Sequence, residues 1–88
     1  METMHYTYIL RCADDTLYTG YALDVNRRVA VHNRGKASKY TRARLPVKLV
    51  YVQAFETKRE ALQRERQIKK LDRMDKIKLI RANGGAHD

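Results

Sequence analysis

The sequence predicts an α+β fold in the order β-β-α-(α)-β-α-α, and three local patterns carry that prediction. Two tyrosine-bearing segments of alternating polarity flank a turn. A β-branched segment follows a capped helical stretch, and a capping box opens a strongly periodic C-terminal third. Residues 6–12 read as a strand, with Tyr6, Tyr8, Leu10 and Cys12 on one face and Thr7, Ile9 and Arg11 on the other. Ala13-Asp14-Asp15-Thr16 has turn chemistry, and residues 17–20 return as a second short strand of an antiparallel hairpin. Asp24 stands where an N-cap belongs, ahead of a helix over 25–33 that Arg34-Gly35 closes. Residues 36–44 are ambiguous between loop and short helix until Pro46 ends them, and 47–54 make a third strand. Thr57-Lys58-Arg59-Glu60 is the capping box of a helix to about Leu71. Asp72 restarts the chain into a last helix, with Met74, Ile77 and Ile80 on one stripe and Asn83-Gly84-Gly85 as its stop.

A chain of 88 residues allows one domain, with a core expected over 5–82 and a flexible tail over 83–88. At that length only about 60–65% of the unfolded surface is buried, so the core is thin. A hydrophobic content of 43% with six tyrosines excludes a disordered basic tail. No run approaches the roughly 20 apolar residues of a membrane span, and Met1-Glu2-Thr3-Met4-His5 has no signal-peptide character. The single Cys12 excludes a disulfide framework and a multi-cysteine zinc site. The expectation is a soluble, cytoplasmic protein without a membrane partner.

Charge narrows the partner. The formal net charge is +9, from 19 Lys and Arg against 10 Asp and Glu, and residues 25–55 hold no acidic side chain. Within that segment Arg27, Lys36, Lys39, Arg42, Arg44 and Lys48, with Tyr40 among them, form a candidate nucleic-acid surface, since each phosphate contact releases condensed counterions. A solvated face, an acidic protein or a membrane surface are the alternatives that charge alone leaves open. In the C-terminal third Glu60, Glu65, Asp72 and Asp75 interleave with the cations as on an ordinary helix surface.

Two helices carry polar residues where apolar ones are expected. Arg28, Val29 and His32 share a helix face with Val25, so half of the core-facing stripe is cationic or imidazole. Arg28 could snorkel to solvent and His32 could be a satisfied core histidine. Together they suit an anion site, Arg as a fixed fork of donors and His as a proton carrier near neutral pH. Glu65 lies inside the apolar arc of Ala61, Leu62 and Ile68, where a carboxylate is costly unless paired or bound to a cation. It is either half of an ion pair, with Arg28 the candidate partner, or a ligand that would hold Mg²⁺ together with waters and substrate phosphate. With Tyr8 and Tyr18 on the hairpin, the set of phenols, guanidinium, imidazole and carboxylate has the parts that phosphodiester hydrolysis needs.

These residues resemble the GIY-YIG nucleases, whose name records two strand motifs followed by an Arg and a His on one helix and a Glu on a later one. Here the first motif is Tyr6-Thr7-Tyr8, without the Gly and Ile, and the second is Tyr18-Thr19-Gly20. Arg28 stands ten residues after Tyr18, His32 is one helical turn further, and Glu65 lies in Ala61-Leu62-Gln63-Arg64-Glu65-Arg66-Gln67-Ile68-Lys69. The likeness covers roughly residues 5 to 80 and is nearest to the short stand-alone bacterial branch. It is similar also to the nuclease module of the excision-repair incision subunit.

The resemblance implies a small α/β sandwich, a three-stranded antiparallel sheet flanked by three to four helices. It also implies a Mg²⁺- or Mn²⁺-dependent endonuclease acting on DNA in repair or recombination, with RNA as the other polyanion. Tyr8 would activate water as, or through, a general base, with Tyr18 and His32 assisting. Arg28 would clamp the phosphate and Glu65 would hold the metal. Asn83 is the late candidate for the asparagine found near the metal in many members, and it reads equally as a helix C-cap. Because no separate reading domain follows, a partner protein that supplies specificity is expected. A non-catalytic nucleic-acid-binding module and a scaffold for a partner are the competing functions.

Overall fold

The computed structural model describes residues 3–83. The hairpin strands are β1, His5–Arg11, and β2, Leu17–Ala22; the third strand is β3, Lys48–Phe55. They form one antiparallel sheet in the order β2-β1-β3, so β1 lies in the middle with a partner on each side. Four helices flank it: α1, Val25–Asn33; α2, Lys39–Arg42; α3, Lys58–Lys69; and α4, Arg73–Ala82. The α+β order read from the sequence is the observed one.

A central strand must be covered on both faces, and the two alternating sets of β1 divide accordingly. Tyr8, Leu10 and Cys12 pack with Ala22, Val25 and Val47 on the α1 side. Ile9 packs with Val50, Tyr51, Ile68 and Ile80 on the side of α3 and α4. Thr7, fully buried on that second face, keeps its hydroxyl satisfied by donating to the Ala61 carbonyl of α3 at 2.6 Å. Each buried isoleucine contributes roughly 1.5–3 kcal/mol, so both small layers matter to a thin core.

The caps behave as their residue types dictate. Asp24 accepts from the Arg27 amide at 3.0 Å at the start of α1, and Gly35, at φ +75°, takes the left-handed position after its end. Thr57 accepts from the Glu60 amide at 3.2 Å, and Asp72 from the Asp75 amide at 2.8 Å. Within the ambiguous stretch 36–44 the chain makes one short helix, α2, capped by Ser38, which accepts from Tyr40 at 3.1 Å.

The structure moves several boundaries: β1 starts and ends one residue earlier than expected and β3 one residue later. β2 runs two residues past Gly20 to Ala22, because Tyr21 and Ala22 still pair with Thr7 and Tyr6. The glycine is interior to the strand. α3 ends at Lys69 rather than Leu71, where Lys70 and Leu71 close on Gln67 and Ile68. In α4, Ile77 and Ile80 are buried but Met74 is 60% exposed, so the apolar stripe begins one turn later and Leu79 packs beside it. Of the expected tail over 83–88, Asn83 is described and caps the end of α4, whereas residues 84–88, with Gly84-Gly85 as a helix stop, lie outside the described residues. Among the described residues no helix is long and apolar enough to cross a membrane.

Candidate active site

The hairpin register builds the site. Tyr8 stands opposite Gly20 and Leu10 opposite Tyr18, so both tyrosines project from the α1 face of the sheet. The Tyr8 hydroxyl lies 3.0 Å from His32 Nε2, and the other ring nitrogen, Nδ1, lies 2.8 Å from Thr41 Oγ1. Tyr18 sets its ring edgewise to the same imidazole, with centroids 5.2 Å apart. Tyr40 stacks against Tyr18 at 6.0 Å, and the Arg44 guanidinium sits 4.0 Å above Tyr40. Tyr8, His32 and Thr41 are all fully buried.

Electrostatics mark where charge is felt. Burial pushes the Tyr8 phenol far above its ordinary value; Tyr18 adds to the rise, Arg28 opposes it, and Glu65 adds again. Tyr8 is therefore a protonated phenol, and Arg28 from α1 and Glu65 from α3 both lie near enough to act on it. His32 is lowered from 6.5, first by burial and then by Arg28, so it is neutral at pH 7. The sign for stability follows. Between its folded-state pKa and 6.5 the unfolded chain binds the extra proton, so stability rises with pH through that window. A nuclear magnetic resonance titration of His32 is expected to show a midpoint below 6.5; a midpoint above it would mean that a carboxylate, not burial, governs the ring.

The sequence-marked residues divide into four groups. Tyr8, Tyr18 and His32 are in direct contact. Arg28 is exposed, its long side chain leaving the stripe that Val25 and His32 bury, yet its charge reaches both Tyr8 and His32. Glu65 does lie on a largely buried arc, with its side chain 17% exposed between buried Ala61 and Ile68. Its ion-pair partner is Lys69, one turn on at 3.4 Å, rather than Arg28. Asn83 donates to the Val52 carbonyl at 3.2 Å and lines a shallow cleft with Tyr51, Gln53 and Arg64, apart from the Tyr8–His32 contacts.

The basic surface is also redistributed. Arg27, Arg28 and Lys36 line one open cleft of about 440 Å³ together with Tyr21, Asp24 and Val31. Lys39, Tyr40 and Arg42 are exposed on α2. Arg44, one-third exposed, pairs with Asp14 at 3.0 Å and donates to the Tyr40 carbonyl at 2.9 Å. Lys48 lines a separate cleft with Arg11 and Asp15.

Two residues here were not named as site residues from the sequence, although Gly20 closes the second motif. Thr41 sits in the stretch without periodicity. Gly20 is where a Cβ would lie 2.6 Å from the Tyr8 hydroxyl oxygen. For a metal, no group of three or more His, Cys, Asp or Glu is placed to hold one among the described residues. A single carboxylate completed by waters and phosphate oxygens fits Mg²⁺, and Glu65, partly exposed and paired with the half-exposed Lys69, offers that donor.

Comparison with known proteins places the chain in a family. The family model for the GIY-YIG catalytic domain matches residues 4–78. A UPF0213 protein of Staphylococcus aureus is 56% identical over 77 residues, covering 88% of this chain and 94% of its own. The solution structure of a UPF0213 protein from Bacillus halodurans superposes with a TM-score of 0.63 at 46% identity, covering 96% of this chain and 89% of that one. That of an E. faecalis protein gives a TM-score of 0.63 at 37% identity, covering 100% and 96%.

Proposed function

Because the chain belongs to the GIY-YIG catalytic-domain family, we propose that it is a divalent-metal-dependent endonuclease hydrolysing phosphodiester bonds of DNA. Family members are generally endonucleases, so nucleic acid is the substrate class that membership implies. The observation that carries the finer reading is the 3.0 Å contact between the Tyr8 hydroxyl and His32 Nε2, at a phenol on which Arg28 and Glu65 both act.

The roles follow from the chemistry of each group. In the free protein the Tyr8 hydroxyl is buried against His32. Where bound substrate brings a water to its oxygen, this phenol, a poor base by itself, can take a proton from that water while passing its own to His32 Nε2. Tyr18, packed on the imidazole edge, keeps the ring in plane for that transfer. Arg28, extending to solvent beside this pair, presents two parallel donors to the scissile phosphate. Glu65 would hold the metal, which when bound supplies positive charge for the developing phosphorane.

Purified protein should convert supercoiled plasmid to nicked circles with Mg²⁺ or Mn²⁺ and not with chelator, and Tyr8→Phe should be inactive. Plasmid bound but never cut would make the chain a non-catalytic nucleic-acid-binding module instead. Binding itself should depend on the Arg27–Lys36 cleft. Arg27→Ala with Lys36→Ala is expected to weaken all DNA sequences alike and to reduce the slope of log K against log salt by about 1.8, at roughly 0.9 for each phosphate no longer neutralised. A salt slope equal to that of the unaltered protein would move the DNA track elsewhere.

A further inference from the structure

We infer that Thr41 is a positioning residue: its Oγ1 accepts the His32 Nδ1–H and so fixes the imidazole in the tautomer whose Nε2 lone pair faces the Tyr8 hydroxyl. The tautomer stands on geometry alone; its consequence for cleavage rests on the endonuclease reading above.

A neutral imidazole donates at one nitrogen and accepts at the other. Both nitrogens of His32 have a hydroxyl partner, Thr41 Oγ1 at 2.8 Å and Tyr8 Oη at 3.0 Å, and hydroxyls can serve either way. The third contact decides the direction. Thr41 Oγ1 also lies 3.3 Å from the Ser38 carbonyl, which can only accept. If Thr41 donates there, it accepts from Nδ1–H, and Nε2 accepts from Tyr8. Each of the three hydrogens in the chain Tyr8, His32, Thr41 then has an acceptor.

The reverse direction leaves one without. Thr41 would donate to Nδ1 and Nε2–H would point at the Tyr8 oxygen. The Tyr8 hydrogen would then have no acceptor among the described residues, on a side chain that is only 1% exposed. An unmet buried hydroxyl is the costlier arrangement. It would also close the proposed proton route, because His32 Nε2 could no longer receive from Tyr8.

The construction of α2 points the same way. It has four residues, Lys39, Tyr40 and Arg42 face solvent, and Thr41 is its one buried side chain. A helix needed only for packing would bury an apolar residue of that size, such as valine. Here the buried position carries a hydroxyl in bonding contact with a ring nitrogen nine residues earlier.

Two readouts test this. In long-range ¹H–¹⁵N spectra the folded protein should show His32 protonated at Nδ1 and bare at Nε2; a ring protonated at Nε2 overturns the inference, whether or not any DNA is cut. Thr41→Val removes the acceptor and should move the proton to Nε2. It should also slow plasmid nicking by about tenfold to a hundredfold, the usual effect of removing an orienting partner, without changing DNA affinity. Thr41→Ser should restore both the spectrum and the rate. A Thr41→Val protein that switches tautomer yet cuts at the original rate would remove Thr41 from the reaction. If Thr41→Val does not fold, the spectra of the unaltered protein and of Thr41→Ser decide: Nε2 protonated in either counts against it.

Discussion

Glu65→Gln is expected to lower metal-dependent nicking by at least about a thousandfold while the protein stays folded and keeps its affinity for DNA. The change preserves shape and removes one negative charge. A metal at the scissile phosphate supplies several kcal/mol of charge stabilisation, and about 4 kcal/mol corresponds to that factor in rate. The effect on stability should be small, because the carboxylate's partner, Lys69, is 56% exposed and sits one helical turn away at 3.4 Å. Pairs of that kind are worth less than about 1 kcal/mol, and freed Lys69 is simply hydrated. DNA affinity should hold or rise slightly, since a negative charge beside the phosphates is gone. Nicking, thermal melting and filter binding on the one variant separate the possibilities. A variant that still cuts would take Glu65 out of the mechanism. A loss of roughly 3–5 kcal/mol of stability would instead reveal a buried ion pair whose cation had been orphaned.

Much of the fold was legible because its signals are local. Asp24, Gly35, Thr57 and Asp72 mark helix ends by their own chemistry, so α1 appears with the boundaries read from the sequence and α3 and α4 start where expected. Tyr8, Tyr18 and His32 were legible as neighbours, which the structure brings into contact, because alternation on strands and a 3.6-residue period on a helix assign faces reliably. What was not legible depends on long-range register or on side-chain length. Arg28 keeps its helical position but not the burial of its neighbours, because a long cationic side chain can leave a stripe that Val25 cannot. Arg44 reads as one cation in a basic run; only the fold brings Asp14 to 3.0 Å from it and gives it an acidic partner at the surface. Thr41 has no periodicity to announce it, and its importance exists only through a contact with His32. Met74 fits the apolar stripe of α4 by spacing, yet it falls in the first turn, past the edge of the layer that Ile77 and Ile80 cover.

Gly20→Ala is expected to destabilise the protein by about 2–4 kcal/mol and to abolish cleavage in whatever fraction remains folded. Gly20 is not needed for a left-handed backbone; among the described glycines only Gly35 has a positive φ. It is needed for space. A Cβ at this position would lie 2.6 Å from the Tyr8 hydroxyl oxygen and 2.7 Å from Cζ, well inside van der Waals contact. The tip of a side chain can often swing away from such a clash, but Tyr8 has nowhere to go. It is fully buried, its strand is paired on both sides, and its hydroxyl is bonded to His32. Relief therefore requires either parting β1 from β2 or turning the phenol off Nε2. Overpacking of this kind costs about 1–3 kcal/mol, and leaving the buried hydrogen-bonding groups unpaired costs a similar amount. Either route also breaks the contact on which the proposed proton transfer rests, so activity should fall further than the loss of folded protein explains. Urea denaturation gives the first quantity, and nicking normalised to folded fraction gives the second. In a Tyr8→Phe background the stability penalty of Gly20→Ala should shrink, because the closest clashing atom and the hydrogen bond are both already absent. Strict additivity of the two changes would show that Gly20 is required for some reason other than making room for Tyr8.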